Sequence, residues 1–216
     1  MPPQKGICDN GSVYQGEHLD MVPHGTGIVT LPDGTRFEGE FKNGKYHGKG
    51  TRTLPTGESF SGDWVDGQPN GRGCYTLPNG DVYTGEVRHG HPSGFGVLVM
   101  HTGDCYTGNW ERGKPHGQGK IVFPSGTVRE GHFEHGEIRQ GKETISNEHF
   151  YEGKFEHSKR AGKGTCRWED GAVYTGDWKD DMRHGEGVMT LRSGEVYDGL
   201  WVQDEPENME QGSPFI

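Results

Sequence analysis

The sequence predicts an all-β fold, an elongated single-layer antiparallel meander of about nine β-hairpin repeats. Three observations predict it. A glycine recurs at Gly16, Gly39, Gly62, Gly85, Gly108, Gly131, Gly153, Gly176 and Gly199, spaced by 23 residues except for one interval of 22 between Gly131 and Gly153. Each glycine sits in an alternating segment such as FEGEF (37–41), FSGDW (60–64), YTGEV (83–87), YTGNW (106–110), YEGKF (151–155), YTGDW (174–178) or YDGLW (197–201). Turn-forming pairs punctuate the intervals. Composition alone argues the opposite way. Only 28% of the residues are hydrophobic and 39 of 216 are glycine, too little apolar surface to offset the entropy of ordering the chain unless it is placed periodically.

The segment 31–53 shows how each element follows from its residues. Leu31-Pro32-Asp33-Gly34 opens it as a turn, with Pro presetting a negative φ and Gly accepting a positive one. Phe37, Gly39 and Phe41 then alternate with Glu38 and Glu40, the period of a strand with one apolar and one charged face. Asn43-Gly44 suits a tight hairpin, and a second strand returns through His47-Gly48-Lys49-Gly50. The bare backbone at Gly39 predicts a slot for an aromatic ring from a neighbouring strand. The paired glycines of HGTG (24–27), HGKG (47–50), NGRG (70–73), SGFG (93–96), HGQG (116–119), AGKG (161–164) and HGEG (184–187) are expected to face one side and receive the rings together. Beyond each pair that face carries Val29, Tyr75, Leu98, Ile121, Cys166 and Met189. Two strands per unit give about 10 Å per repeat.

Three units depart from the pattern. The first has His18 at its second aromatic position. The sixth, about 129–150, has Arg129 at the first aromatic position and Arg139-Gln140-Gly141-Lys142 for the glycine pair; its loop 143–150 lacks Pro-x-Gly and reads as one residue short. It is either a decayed repeat or a point where a partner docks. The ninth runs into an acidic tail, 204–216, without a glycine pair, so the array is bounded at 1–203. Weak helical periodicity is confined to the segment after Val202, and the tail reads as a cap or a docking peptide.

Tyr/Phe-x-Gly-Glu/Asp-Trp/Phe, then His-Gly-x-Gly, then Leu-Pro-x-Gly resembles the MORN repeat (membrane occupation and recognition nexus) over roughly residues 8–203. The resemblance implies the same single-layer sheet. Among family members the chain is most similar to the small all-MORN radial spoke head proteins of cilia and flagella. That implies a cytoplasmic, cytoskeletal axoneme component that binds other proteins of a large assembly or a second copy of itself. MORN arrays also accompany lipid kinases and junctional membrane proteins, and some serve as adaptors, so a phospholipid-binding or motor-tail adaptor is the alternative.

The chemistry read from the residues favours a scaffold over an enzyme. A net charge of −10 argues against nucleic acid and against an anionic membrane surface. Cys8, Cys74, Cys105 and Cys166 form no CxxC pair and read as reduced thiols of an intracellular protein. The start of the sequence shows no apolar signal segment. The HGxG stretches lack the Lys-Ser/Thr ending of a phosphate loop. His24, His47, His116 and His184 share one repeat position and are expected on separate hairpins, too far apart for one metal; His89, His91 and His101 form the only local cluster. Glu17, Glu40, Asp63, Glu86 and Asp177 predict an acidic ladder on the polar face. No catalytic residue, metal or cofactor is expected. The second aromatic of each unit either packs the sheet or meets a partner, and Phe41, Trp64, Trp110, Phe155, Trp178 and Trp201 stand as the candidate partner contacts.

Overall fold

The computed structural model describes residues 10–207 and the backbone of 4–7. Every regular element among them is a β-strand. The chain divides into two compact units, Met1–Lys114 and Pro115–Ile216. The first holds β1 (Gln4–Ile7), β2 (Val13–Leu19), β3 (Val22–Thr30), β4 (Arg36–Lys42), β5 (Lys45–Thr53), β6 (Ser59–Val65), β7 (Gln68–Thr76), β8 (Val82–Arg88), β9 (His91–Val99) and β10 (Cys105–Glu111). The second holds β11 (Lys114–Val122), β12 (Val128–Glu134), β13 (Glu137–Thr144), β14 (Phe150–Glu156), β15 (Lys159–Arg167), β16 (Val173–Lys179), β17 (Met182–Thr190), β18 (Val196–Val202) and β19 (Glu205–Pro206). Within each unit, strands pair antiparallel in chain order, as the alternation predicts.

The predicted elements are present, with sharper geometry. Asn43 and Gly44 have φ of 50° and 78°, both left-handed, which is the type I′ turn that matches the twist of the flanking strands. The turn residue then joins one repeat to the previous one: Gly44 N donates to Pro23 O, Gly67 N to Tyr46 O and Gly90 N to Pro69 O, each at 2.8–2.9 Å. The Leu-Pro-x-Gly turns close on Leu31, whose N–H bonds Thr35 O and whose carbonyl accepts from Gly34.

The glycine slot is filled differently from expectation. Gly39 faces Gly50 across the hairpin, as Gly16 faces Gly27, Gly62 faces Gly73 and Gly85 faces Gly96. The ring that covers the pair comes from the same strand, two residues earlier, and not from a neighbour. Phe37 folds forward along β4 so that its Cζ lies over Gly50, and a Cβ built on Gly96 would sit 2.5 Å from the Tyr83 ring. Where the ring is a tyrosine, its hydroxyl reaches past the glycine to the carbonyl three residues on: Tyr14 to Glu17 (2.8 Å), Tyr83 to Glu86 (2.6 Å) and Tyr174 to Asp177 (2.9 Å). Burial raises the phenol pKa of Tyr83 and Tyr174 to about 12.

The two glycines of each HGxG stretch also do separate jobs. Only the second lies under the ring. The first, Gly48, has φ of 59° and sits in the bulge where pairing jumps from Gly39–Gly50 to Glu40–His47; a Cβ there would meet the Glu40 carboxylate on the opposite face. The bulge re-aims the return strand and leaves backbone donors to be satisfied.

In the sixth unit the missing residue belongs to this bulge, and the loop has the usual length. Gly39 meets its partner Gly50 eleven residues on, whereas Gly131 meets Gly141 after ten. From Gly141 to the next central glycine, Gly153, is twelve residues, the same as from Gly27 to Gly39. One glycine of the pair is deleted, and Gly141 keeps the register beneath the sheet's apolar face. At the far end Trp201 pairs with Pro206, so the chain after Val202 continues as a short strand. The remainder of the proposed tail, and Cys8, lie outside the described residues.

Candidate functional site

One face of the sheet is fully committed to folding. The six candidate partner contacts lie on it: Phe41 is 5% exposed, Trp64 1%, Trp110 7%, Phe155 3%, Trp178 4% and Trp201 1%. Each packs edge-on against the first aromatic of its own unit, as in Trp64–Phe60 (5.3 Å) and Trp178–Tyr174 (5.3 Å), and all but Phe155 also pack against the ring of the unit before, as in Trp64–Phe37 (5.2 Å) and Trp201–Tyr174 (5.3 Å). Edge-to-face pairs add about 0.5–1.5 kcal/mol beyond burial. The indole N–H is used as well: Trp64 donates to Gly50 O (2.9 Å) and Trp201 to Gly187 O (3.1 Å). These residues are the core, and no surface of theirs is left to meet a partner.

At the sixth unit the aromatic ladder is replaced by buried charge, which the sequence reading missed. Arg129 Nε donates to Glu143 Oε1 (2.7 Å), and Arg160 Nη2 donates to Glu143 Oε2 (2.8 Å). The two guanidiniums substitute for stacked rings: Arg129 lies 5.6 Å from the Phe155 ring and Arg160 5.1 Å from Tyr151. Arg129 Nη1 also donates to Ser158 O in the following hairpin turn (3.0 Å). Burial pushes the Glu143 carboxyl up, and hydrogen bonds and charge from Arg160 and Arg129 outweigh it, holding the group below its ordinary range. The signal was Glu143 itself, a carboxylate at the position that Cys166 and Met189 fill in later units.

The opposite face carries a charge ladder rather than a free acidic surface. The repeating carboxylates cap the bulges. Glu40 Oε1 accepts from Lys49 N (2.9 Å), Asp63 Oδ2 from Arg72 N (2.9 Å) and Asp177 Oδ2 from Glu186 N (3.2 Å). They also pair across strands, with Lys49 on Asp63 and Lys163 on Asp177 (2.8 Å). The predicted acidic ladder is thus occupied by the fold.

At the register of these cross-strand pairs opposite charges face each other in Lys49–Asp63, Arg72–Glu86 and Lys163–Asp177, whereas Thr26–Glu40, Phe95–Asn109, Gln118–His132 and Glu186–Leu200 interrupt the ladder. Phe95 stands where Lys49 and Arg72 stand in earlier repeats, and its cross-strand partner is Asn109 instead of an acid. Phe95 is 55% exposed. It borders a groove over β6–β9 whose floor is Gly62, Gly73, Gly85 and Gly96 and whose walls include Ser61, Arg72, Cys74, Thr84 and Val97. A groove in the second unit has the same glycine floor, but its walls are mostly polar (Gln118, Lys120, Glu130, Gln140 and Glu152) and its one aromatic, Phe150, is covered by the Lys142 ammonium (4.4 Å). Among the described residues no three His, Cys, Asp or Glu side chains come together as metal ligands. Of the local histidines, His101 is held by Asp81 (2.8 Å) and His89 sits in a turn. Cys74, Cys105 and Cys166 are free thiols, and burial raises that of Cys166 to about 11.

No curated protein sequence matches the chain. The TCP10 domain of Danio rerio CPAP, solved with a peptide of Danio rerio STIL, is similar in fold: TM-score 0.53, 14% identity, covering 92% of this chain and 83% of that one. The SAS-4 (dCPAP) TCP domain of Drosophila melanogaster, solved with a proline-rich motif of Ana2, has a TM-score of 0.39 at 10% identity, over 92% of this chain and 90% of that one. The family model of the MORN repeat matches residues 22–36, 37–59, 60–82, 83–105, 106–128, 151–173 and 174–196, omitting the sixth unit where Arg129 and the shortened bulge stand. With well over half of its length in seven such matches, and with the ring, glycine and turn of each unit in register, the chain belongs to the MORN repeat family.

Proposed function

We propose that the chain is a non-enzymatic scaffold that holds a segment of a partner protein on its polar face, in the groove beside Phe95. The observation that carries this reading is the Phe95–Asn109 pair, which exposes an aromatic ring over a bare glycine floor at a register where Lys49–Asp63, Arg72–Glu86 and Lys163–Asp177 set opposite charges. Folding gains nothing from a phenyl ring left in water, whereas exposed aromatics in a groove are the common anchors of interfaces. A sheet of similar fold is the part of Danio rerio CPAP solved with a STIL peptide, a precedent for fold only.

The finer reading places the scaffold in the axoneme, as a radial spoke head component, on the resemblance of the whole chain to small all-MORN members. Isolating the native complex by a tag and identifying its members tests this. Recovery of spoke-head or other axonemal proteins supports it. Flotation with anionic liposomes at physiological salt, without such proteins, would replace it by a lipid adaptor, against which the charge of −10 weighs.

A further inference from the structure

We infer that the groove beside Phe95 takes a proline-rich segment in the polyproline II conformation, laid across the strands. This rests on the groove being the partner site. Three features of the groove select the ligand. First, the floor strands β6, β7, β8 and β9 are paired with neighbours on both sides, so their main-chain groups are used up and a partner cannot add as a strand. It must be held through side chains. A polyproline II segment fits that demand, because it is pre-formed and makes no internal hydrogen bonds. Second, the groove repeats with the sheet. Cys74 and Val97 occupy equivalent positions one repeat apart, as do Arg72 and Phe95. Two strands span about 9.4–9.8 Å. One turn of polyproline II, three residues, advances about 9.3 Å. Two turns of an α-helix advance about 10.5–10.8 Å, so a helix drifts out of step from one repeat to the next. Third, an aromatic ring beside a shallow, glycine-floored trough is a surface on which prolines pack. The chain's net charge of −10 adds that the segment carries basic flanks.

The test uses the full chain and two sets of fluorescent peptides matched in length and basic charge: one with proline at every third position, the other an alanine-based amphipathic helix. Each is titrated onto wild type and onto Phe95→Lys/Asn109→Asp, which rebuilds the Lys49–Asp63 pair and preserves the fold. The inference expects the proline peptides to bind wild type and to lose about tenfold or more in affinity on the double variant, with the helical peptides weaker on both. Equal or tighter binding by the helical peptides overturns it. So does proline-peptide binding that ignores the double substitution, or no binding by either set. If, in those cases, capture of native partners still depends on Phe95, the groove remains the partner site and only the conformation assigned to its ligand falls.

Discussion

At the residue scale, most of what recurs in this chain is spent on folding. Phe37 folds over Gly39 and Gly50, and a methyl at Gly50 would overlap the ring. Gly50→Ala is therefore expected to cost about 1–3 kcal/mol, as overpacking of a tight site does. Combined with Phe37→Leu it should cost less than the sum of the two, a coupling readable in denaturant titrations. The turns offer the opposite sign. Met21 holds φ of 65° where Gly44 stands in the next unit. Met21→Gly should raise stability by about 0.5–1 kcal/mol, since the relief of left-handed strain exceeds the added chain entropy.

The elements show which parts were legible in the sequence and which were not. The 23-residue beat and the alternation around Gly39 announced strands, turns and register, because each is a local consequence of a few residues. The source of the ring over each glycine was not legible. Alternation tells which face Phe37 shares but not which way its side chain leans. The jobs of Gly48 and Gly50 were likewise indistinguishable until the bulge separated them, since a bulge is a property of a strand pair. For the same reason the deletion in the sixth unit was assigned to the loop when it removes a bulge glycine from β13. That unit's Arg129–Glu143–Arg160 cluster predicts a pH effect. The folded Glu143 carboxyl lies below its ordinary value, so its contribution is present above the usual glutamate range and is lost as pH falls through the folded value. Glu143→Gln should destabilise by about 2 kcal/mol at neutral pH by leaving two half-buried guanidiniums under-compensated, and should flatten the acid limb of a melting-temperature profile.

For the whole molecule, the candidate site divides along the same line. Trp64, Trp110, Trp178 and Trp201 attracted attention because they recur, yet recurrence at the repeat period marks what every unit needs in order to fold, and all four are buried. On the proposed reading, function is carried by departures from the period. The HGxG series held the relevant one in plain view, as the phenylalanine of SGFG at 93–96. Its meaning emerged only with the cross-strand pairing of Phe95 to Asn109, which leaves an exposed ring where Lys49–Asp63 and Arg72–Glu86 carry opposite charges. The most direct test is quantitative capture of native partners by Phe95→Lys/Asn109→Asp, with its melting temperature measured alongside. An unchanged melting temperature with partner recovery reduced about tenfold is the predicted result. Full recovery by a stably folded variant would contradict the assignment of this groove as the place where the scaffold holds its partner.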